Sequence, residues 1–373
     1  MNKMRPPHPV NPVNPVNPVI LSNPPPSHSL RASVANLSPS PTIVMHSLGR
    51  LIARGGRSKP GEDRYNRNSR PGFTARHLAE IIELLAHPLS LDDLAQLCVQ
   101  ACLMEATARK PGNVHPGARF NDLYYDDFVQ SAKSAAPHLA RAGVHGVGRA
   151  VRDAVHATRE RVNTNTNLGI ALLIAPLAAV PLDQPLQAGI AGVLQTLTPL
   201  DAEYVYEAIR LARPAGLGSV PDGDVAAAAP PDLLWSMQHA ADRDWIARQY
   251  TTAFRDLLDT AVPILAEWRP DAGWEVRVIH LHLELMACWP DTLIARKCGG
   301  EVATESARRA REVLDSGWPD SPAGQGALDE FDAWLRADGH RRNPGTTADA
   351  VAATLFATLR DRLASFPDWV WAG

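Results

Sequence analysis

Asn167-Leu-Gly-Ile-Ala-Leu-Leu-Ile-Ala-Pro-Leu-Ala-Ala-Val180 is the stretch of sequence that decides the fold. It is apolar on every side, so it predicts a helix that other elements bury completely. The run is too short to cross a bilayer, which needs about 20 residues of helix. We therefore place it at the centre of a water-soluble domain and ask what surrounds it.

The surrounding segments show helical periodicity, with apolar residues recurring at i, i+3, i+4 and i+7. Period-two alternation that would indicate strands is weak and confined to residues 276–279. The fold class is predicted to be all-α, a single large helical bundle domain over residues 73–366 around the central helix. Helices are predicted over residues 74–87, 90–109, 122–142 with a kink or break near Pro137, 147–162, 167–180, 186–197, 201–212, 231–268 as one long or two abutting helices, 274–289, 302–314, 328–337 and 346–363.

Residues 1–72 have a different composition, which predicts a disordered Pro-rich tail. They hold 13 of the 32 prolines and no aromatic residue before Tyr65. Such a segment buries too little apolar surface to offset the entropy lost on ordering.

Charge and cysteine content narrow the class of protein. Lys plus Arg is 37 and Asp plus Glu is 40, a net charge of -3, which favours neither a nucleic-acid partner nor a membrane surface. The four cysteines form no Cys-x-x-Cys pair and are expected to be small buried hydrophobes. No signal segment opens the chain, and we expect a cytoplasmic protein.

A carboxylate lies where the helix over 90–109 should be buried. Ser90 and Asp93 form a capping-box pattern at the start of this helix, and its apolar face, continued by one turn, reaches Glu105. A carboxylate on an apolar face needs a cation, a metal or a proton. Arg109 and Lys110 follow within one turn, so Glu105 belongs either to a structural ion pair or to a functional site.

Three polar clusters lie at the ends of predicted helices, at residues 105–115, 163–167 and 343–349. Helix N-termini offer unpaired N–H groups and the positive end of the helix dipole to anions. Plain capping is the alternative, because Thr346 and Asp349 also have the spacing of a capping box. Asp244 is expected to pair with Arg243 or Arg248 at the surface. The Walker, dinucleotide-binding and serine-hydrolase motifs are absent from the sequence.

With these clusters identified, the chain resembles the triphosphoribosyl-dephospho-CoA synthase family from about residue 88 to residue 363. Five blocks match in the same order. They comprise Glu105, Lys110, Pro111, Gly112 and Val114, then Asp122, Phe128 and Ser131, then Val162, Asn163 and Thr164, then Asp291, Thr292 and Arg296, and finally Asn343, Pro344, Gly345, Ala348 and Asp349.

The chain departs from the family pattern at two places. Residues 165–169 read Asn-Thr-Asn-Leu-Gly where the citrate-lyase and malonate-decarboxylase type has His-Lys-Gly, and Tyr124 replaces the second Asp of an Asp-x-Asp pair. The sequence is closer to a subgroup found in organisms with pterin-linked one-carbon metabolism. The resemblance therefore implies the fold and a nucleotide site more firmly than it implies which molecule accepts the transferred group.

The resemblance implies transfer of the triphosphoribosyl group of ATP to the 2′-hydroxyl of 3′-dephospho-CoA, with release of adenine. Such chemistry needs a carboxylate near the anomeric carbon and a cradle for a triphosphate, with Mg²⁺ as the expected cofactor. Glu105 and Asp122 are the predicted catalytic residues and Mg²⁺ ligands. The predicted substrate- and phosphate-binding residues are Arg109, Lys110, Asn113, Asn163, Thr164, Asn165, Asn167, Arg296, Lys297, Asn343, Gly345, Thr346 and Asp349.

Three other functions remain open at this point. One is a Mg²⁺-dependent all-α nucleotide hydrolase built on the same carboxylates. Another is the same donor chemistry on an acceptor from pterin-linked one-carbon metabolism. The last is a non-catalytic nucleotide-binding module.

Overall fold

The computed structural model describes residues 89–162, 164–216, 218 and 223–370. Within these residues the chain forms α-helices, one π-helical turn and no β-strand, which confirms the all-α prediction. The predictions for residues 1–72 and for a helix over 74–87 lie outside the described part of the chain. The helices are α1 (Leu91–Thr107), α2 (Tyr125–Leu139), α3 (Ala142–His145), α4 (Val147–Arg161), α5 (Leu168–Ala179), α6 (Leu186–Gln195), α7 (Pro199–Ala212), α8 (Leu233–Ala240), α9 (Trp245–Thr251), the π-helix (Asp256–Ala261), α10 (Val262–Glu267), α11 (Trp274–Cys288), α12 (Thr292–Cys298), α13 (Gly300–Asp315), α14 (Pro322–Arg336) and α15 (Gly345–Arg360).

Helix α5 lies in the main core, as its all-apolar sequence predicts. Every residue from Ile170 to Ala178 is buried, and α4, α6 and α15 pack against it. Pro176 has no N–H to donate to the carbonyl of Leu172 four residues earlier. The Tyr250 hydroxyl donates to that carbonyl instead, at 2.7 Å, so a neighbouring helix completes the hydrogen bonding of α5.

A second hydrophobic cluster, which contains no residue of α5, lies beside the main core. It joins α11, α13 and α14 through buried side chains such as Leu283, Phe331 and Leu335. Each fully buried side chain of this size contributes about 2 kcal/mol to stability. The C-terminal third of the domain therefore has a core of its own, and it supports α12 and the start of α15.

The segment over 231–268 is divided into four helical pieces, more than the sequence suggested. Asp232 caps α8 and Asp244 caps α9, each by accepting hydrogen bonds from backbone N–H groups of the following turn. Ala253 and Phe254 then adopt positive φ angles of 51° and 59°, which ends regular helix before the π-helical turn. The first turn of α9 is buried through Trp245, Ile246 and Ala247.

Other helix boundaries differ from the predicted ones because of local turns and caps. Pro137 stays inside α2, and the chain turns only after it, so residues 142–145 form the separate short helix α3. Helix α12 was not predicted, because at seven residues it is too short to show a period. Helix α14 begins earlier than predicted because Ser321 caps it ahead of Pro322.

No helix of the described chain has the length and apolarity required to cross a membrane. Its four cysteines are free thiols, and the exposed Cys288 departs from the prediction of buried small hydrophobes.

Candidate active site

A cavity of about 830 Å³ opens where the N-termini of α5, α9 and α15 meet the sides of α7, α8 and α12. This volume lies in the range of small-molecule sites. Segments more than 200 residues apart in sequence contribute to its wall. The predicted site residues on that wall are Glu105, Asn113, Asp122, Thr164, Asn165, Asn167, Arg296, Lys297, Asn343, Gly345, Thr346 and Asp349, whereas Asn163 lies outside the described residues.

Glu105 reaches the cavity from the buried face of α1 and is 4% exposed. The Nζ of Lys110, which is fully buried, lies 2.9 Å from Oε1 of Glu105. The same Nζ donates to the backbone carbonyl of Glu105. Lys110 therefore fixes the position of Glu105. It does not line the cavity, and its role as a phosphate-binding residue stays a prediction.

Arg109 is also absent from the cavity wall, contrary to the phosphate-binding prediction. Its side chain is 70% exposed. Its Nε donates to Oε1 of Glu275 at 2.8 Å, and its Nη2 donates to Oε2 at 2.9 Å. The chain leaves α1 in extended conformation at Ala108, and Arg109 and Lys110 then point to opposite sides. Of the two adjacent cations, one stays at the surface and the other enters the core.

Asp349, in the first turn of α15, is the second carboxylate at this end of the cavity. It is half-buried and lies against Gly169 in the first turn of α5. Burial, and next the neighbouring carboxylates Glu105 and Asp291, raise the pKa of Asp349 well above its usual value. The described residues donate no hydrogen bond to its carboxylate, which leaves both oxygens to the cavity.

Asp291 joins two helix N-termini from a buried position. Its Oδ1 accepts from the backbone N–H groups of Leu293 and Ile294 at 2.9 Å and so caps α12. Its Oδ2 accepts from the N–H and hydroxyl of Thr347, both at 2.8 Å, and so caps α15. Burial raises the pKa of Asp291, and these hydrogen bonds oppose the rise. This corrects the capping box predicted between Thr346 and Asp349, and it frees Asp349 from a capping role.

Arg296 and Lys297 lie on α12 and line the cavity. An Nη of Arg296 lies 2.8 Å from Oδ2 of Asp244, so the pairs predicted between Asp244 and Arg243 or Arg248 are wrong. Arg248 pairs with Asp256 instead. Burial lowers the pKa of Lys297, and its Nζ donates to the His340 carbonyl at 3.3 Å.

The asparagine- and threonine-rich run before α5 is partly used by the fold. Asn165 accepts from the backbone N–H of Leu168 at 3.2 Å, and Asn167 donates to the Thr158 hydroxyl at 2.8 Å. Across the cavity, Asn113 donates to Oδ1 of Asn343 at 2.8 Å. Asn113 is buried, with 5% of its surface exposed, and the described residues donate no hydrogen bond to its Oδ1. An unsatisfied buried acceptor on a cavity wall suits a ligand donor or a bound water.

Asp122 lies at the rim of the cavity. Its side chain is 68% exposed, and Oδ1 lies 3.1 Å from Nδ1 of His340. The described residues contain no group of three or more His, Cys, Asp or Glu side chains placed to hold a metal ion. Mg²⁺ is commonly held by one or two carboxylates together with substrate phosphates and waters. Glu105 and Asp122 fit that mode better than a dedicated metal cage.

Sequence reasoning missed three arginines on the cavity wall, Arg159, Arg213 and Arg243. Arg159 lies in the last turn of α4, just ahead of the asparagine-rich run. Arg213 adopts a left-handed conformation with φ 49° at the end of α7. The sequence signal for Arg213 was its position before Pro214, where a predicted helix ends. Together with Arg296 and Lys297 they give the cavity wall five basic side chains among the described residues.

The fold and the site define an all-α protein with a pocket that combines helix N-termini, basic side chains and two neighbouring carboxylates, a combination suited to a polyphosphate ligand and glycosyl chemistry. A family model described as ATP:dephospho-CoA triphosphoribosyl transferase matches residues 91–367. The chain belongs to this family of transferases.

Two relatives and one solved structure are similar to this chain. A protein of Stutzerimonas stutzeri (strain A1501), named as a probable 2-(5''-triphosphoribosyl)-3'-dephosphocoenzyme-A synthase, is 27% identical over 293 residues, 75% of this chain and 96% of the relative. A protein of the same name from Pseudomonas savastanoi pv. phaseolicola is 30% identical over 175 residues, 44% of this chain and 56% of the relative. A crystal structure from Archaeoglobus fulgidus, named for the same synthase, matches with TM-score 0.48 and 24% identity, over 62% of this chain and 97% of that one.

Proposed function

We propose that this protein transfers the triphosphoribosyl group of ATP to the 2′-hydroxyl of 3′-dephospho-CoA and releases adenine. The observation that carries the proposal is the meeting of Glu105 and Asp349 with the N-termini of α5 and α15 around one cavity. Carboxylates and unpaired N–H groups are the groups that a glycosyl transfer from a polyphosphate donor requires.

The reaction is a substitution at the anomeric carbon of the ATP ribose. The 2′-oxygen of dephospho-CoA forms a bond to C1′, the bond from C1′ to N9 of adenine breaks, and its electron pair leaves with the base. The hydroxyl proton goes to a carboxylate, and adenine takes up a proton as it departs. Asp349 suits the role of base because it faces the cavity, and because burial and the neighbouring carboxylates raise its pKa and so strengthen it as a proton acceptor.

Glu105 suits a different role from Asp349. Lys110 holds its carboxylate in a buried ion pair at 2.9 Å. A fixed negative charge beside C1′ stabilises the positive charge that develops on the ribose in an oxocarbenium-like transition state. Two carboxylates in different environments thus divide the work of charge stabilisation and proton transfer.

The triphosphate fits the cationic side of the cavity. Arg243, Arg296 and Lys297 line the wall. Basic side chains bind phosphate oxygens without covalent chemistry. The Asn343 and Asn113 side chains line the cavity and add neutral hydrogen-bonding groups.

Mg²⁺ is proposed as the cofactor, and it would neutralise charge on the triphosphate. Glu105 and Asp122 are the residues that would hold it. Removal of free Mg²⁺ with a chelator should abolish turnover.

The test is incubation of the purified protein with ATP, Mg²⁺ and 3′-dephospho-CoA, with adenine measured by chromatography and the adduct by mass spectrometry. Asp349→Asn should lower adenine release at least a hundredfold, and Asp315→Asn, at an exposed carboxylate outside the cavity, is the matched control. Adenine release only with a different hydroxyl compound would retain the donor and replace the acceptor.

Two results would reject the transferase proposal. Release of phosphate or pyrophosphate without adenine would identify a Mg²⁺-dependent nucleotide hydrolase. If the wild type has no activity, and Glu105→Gln is also inactive and binds ligands with the wild-type affinity, the protein is a binding module.

A further inference from the structure

The cavity continues from the carboxylates into an apolar bay between α7 and α8. Six side chains define this bay, Val205, Tyr206, Ile209, Leu233, Met237 and Ala240. On α7 they lie at i, i+1 and i+4, and on α8 at i, i+4 and i+7, so each helix presents one continuous face. None of the six is charged.

The carboxylates, Arg296 and Lys297 lie on α1, α12 and α15, whereas the bay is formed by α7 and α8. Arg213 and Arg243 line the cavity just beyond the C-terminal ends of these two helices. Apolar surface that lines a ligand cavity gains free energy when a ligand part with apolar faces displaces water from it. Met237 adds a polarizable sulfur, which packs well against aromatic rings.

The edge of the bay carries groups that suit a heterocycle rather than a hydrocarbon chain. The Tyr206 hydroxyl donates its proton to the Gly223 carbonyl at 2.9 Å, so its oxygen remains an acceptor. The Ser236 hydroxyl lies 3.2 Å from it and also lines the cavity. An exocyclic amino group can donate to these oxygens while the ring faces contact the apolar side chains.

We propose that the apolar bay binds the adenine ring of a substrate nucleotide. This rests on the proposed function, in which both ATP and 3′-dephospho-CoA carry adenine. A nucleotide with its ring in the bay and its phosphates against Arg296 and Lys297 extends across the cavity and places its ribose near the carboxylates of Glu105 and Asp349.

The experiment fills the bay and measures the affinity of separate probes by calorimetry. Ala240→Phe adds a ring to the bay, and Ala241→Phe is the matched control because the next residue does not line the cavity. The probes are ATP, inorganic tripolyphosphate, 3′-dephospho-CoA and 4′-phosphopantetheine. We expect Ala240→Phe to weaken binding of ATP, of 3′-dephospho-CoA or of both at least tenfold, and to leave tripolyphosphate and phosphopantetheine unchanged.

The probes distinguish which substrate supplies the ring. A loss confined to ATP places the donor adenine in the bay, and a loss confined to 3′-dephospho-CoA places the acceptor adenine there. Unchanged affinity for both nucleotides, or an equal loss for phosphopantetheine, overturns the inference. Because binding is measured without turnover, a wild-type protein that binds ATP but releases no adenine would reject the proposed reaction and leave the bay intact.

A second variant covers failure of Ala240→Phe to fold. If Ala240→Phe loses both its tripolyphosphate binding and its thermal transition, the same affinities are measured with Ile209→Ser. Ile209 is only partly buried, so the variant should fold, and the change removes apolar surface from the same bay. The same tenfold loss for an adenine nucleotide supports the inference, and wild-type affinity overturns it.

Discussion

The Asp349 carboxylate occupies the space that a side chain at Gly169 would fill. A methyl group on Gly169 would lie 2.0 Å from Oδ2 of Asp349 and 2.5 Å from its Cγ. Glycine at this position of α5 therefore lets a carboxylate of α15 rest on the first turn of the central helix. The pair fixes where Asp349 meets the cavity.

Gly169→Ala should remove activity without removing the fold. The methyl group must displace the Asp349 carboxylate, and we expect adenine release to fall at least a hundredfold because a misplaced catalytic group loses most of its effect. Alanine favours a helix interior over glycine by about 1 kcal/mol, which offsets part of the steric cost. Activity and urea unfolding should be measured together.

Asp349→Asn and the double variant Gly169→Ala with Asp349→Asn are the controls. If the glycine acts through Asp349, the double variant should be no less active than Asp349→Asn alone. Additive losses would show that Gly169 affects activity by another route.

Asp291→Ala should destabilise the domain by about 2–4 kcal/mol, because one carboxylate caps both α12 and α15 and each cap contributes about 1–2 kcal/mol. Ser90→Ala, which removes the single exposed cap of α1, is the comparison and should cost about 1 kcal/mol. The measurement is the free energy of unfolding in urea. Equal losses in the two variants would contradict the double cap.

The contrast between these caps shows what the sequence could predict. The cap of α1 is local, since Ser90 and Asp93 lie within one turn, and the rule for spacing i, i+3 identifies it. The cap of α15 comes from Asp291, 56 residues before Thr347. A local rule then selects Asp349 as the capping residue, and only the tertiary structure shows that Asp349 is free to face the cavity.

The same distinction applies to the fold and the site as a whole. The period of apolar residues predicted the helices and the central position of α5, because a helix that is apolar on every side must be surrounded by other elements. It did not predict the breaks in residues 231–268, which depend on the Asp244 cap and on positive φ at Ala253 and Phe254. Most predicted site residues reached one cavity, but sequence cannot tell which of the adjacent Arg109 and Lys110 is buried.

Lys110→Met should destabilise the protein by about 3–5 kcal/mol, because it leaves the Glu105 carboxylate buried without its cation. The double variant Lys110→Met with Glu105→Gln should recover most of this stability, since the buried charge is removed, and should stay inactive. Arg109→Ala removes the exposed neighbouring pair and should cost at most about 1 kcal/mol. Chemical unfolding of the four proteins measures each cost. Stability in the double variant that is no better than in Lys110→Met would contradict the buried-charge explanation.

His280 should make the domain less stable in mild acid. Its ring stacks on Trp268 with centroids 3.6 Å apart, and burial, followed by the nearby charges of Arg269 and Arg311, lowers the pKa of His280 to about 4. The unfolded chain, with an ordinary histidine pKa, binds the proton more tightly between pH 6.5 and about 4, so stability falls as the pH falls through this window. Between pH 7 and pH 5 this one group should lower the free energy of unfolding by about 2 kcal/mol.

His280→Phe keeps a ring against Trp268 and should reduce this loss of stability by that amount in urea unfolding at the two pH values. His156→Phe, at a largely exposed histidine, should leave the fall unchanged. A pH dependence that is identical in wild type and His280→Phe would show that the buried imidazole does not control acid stability.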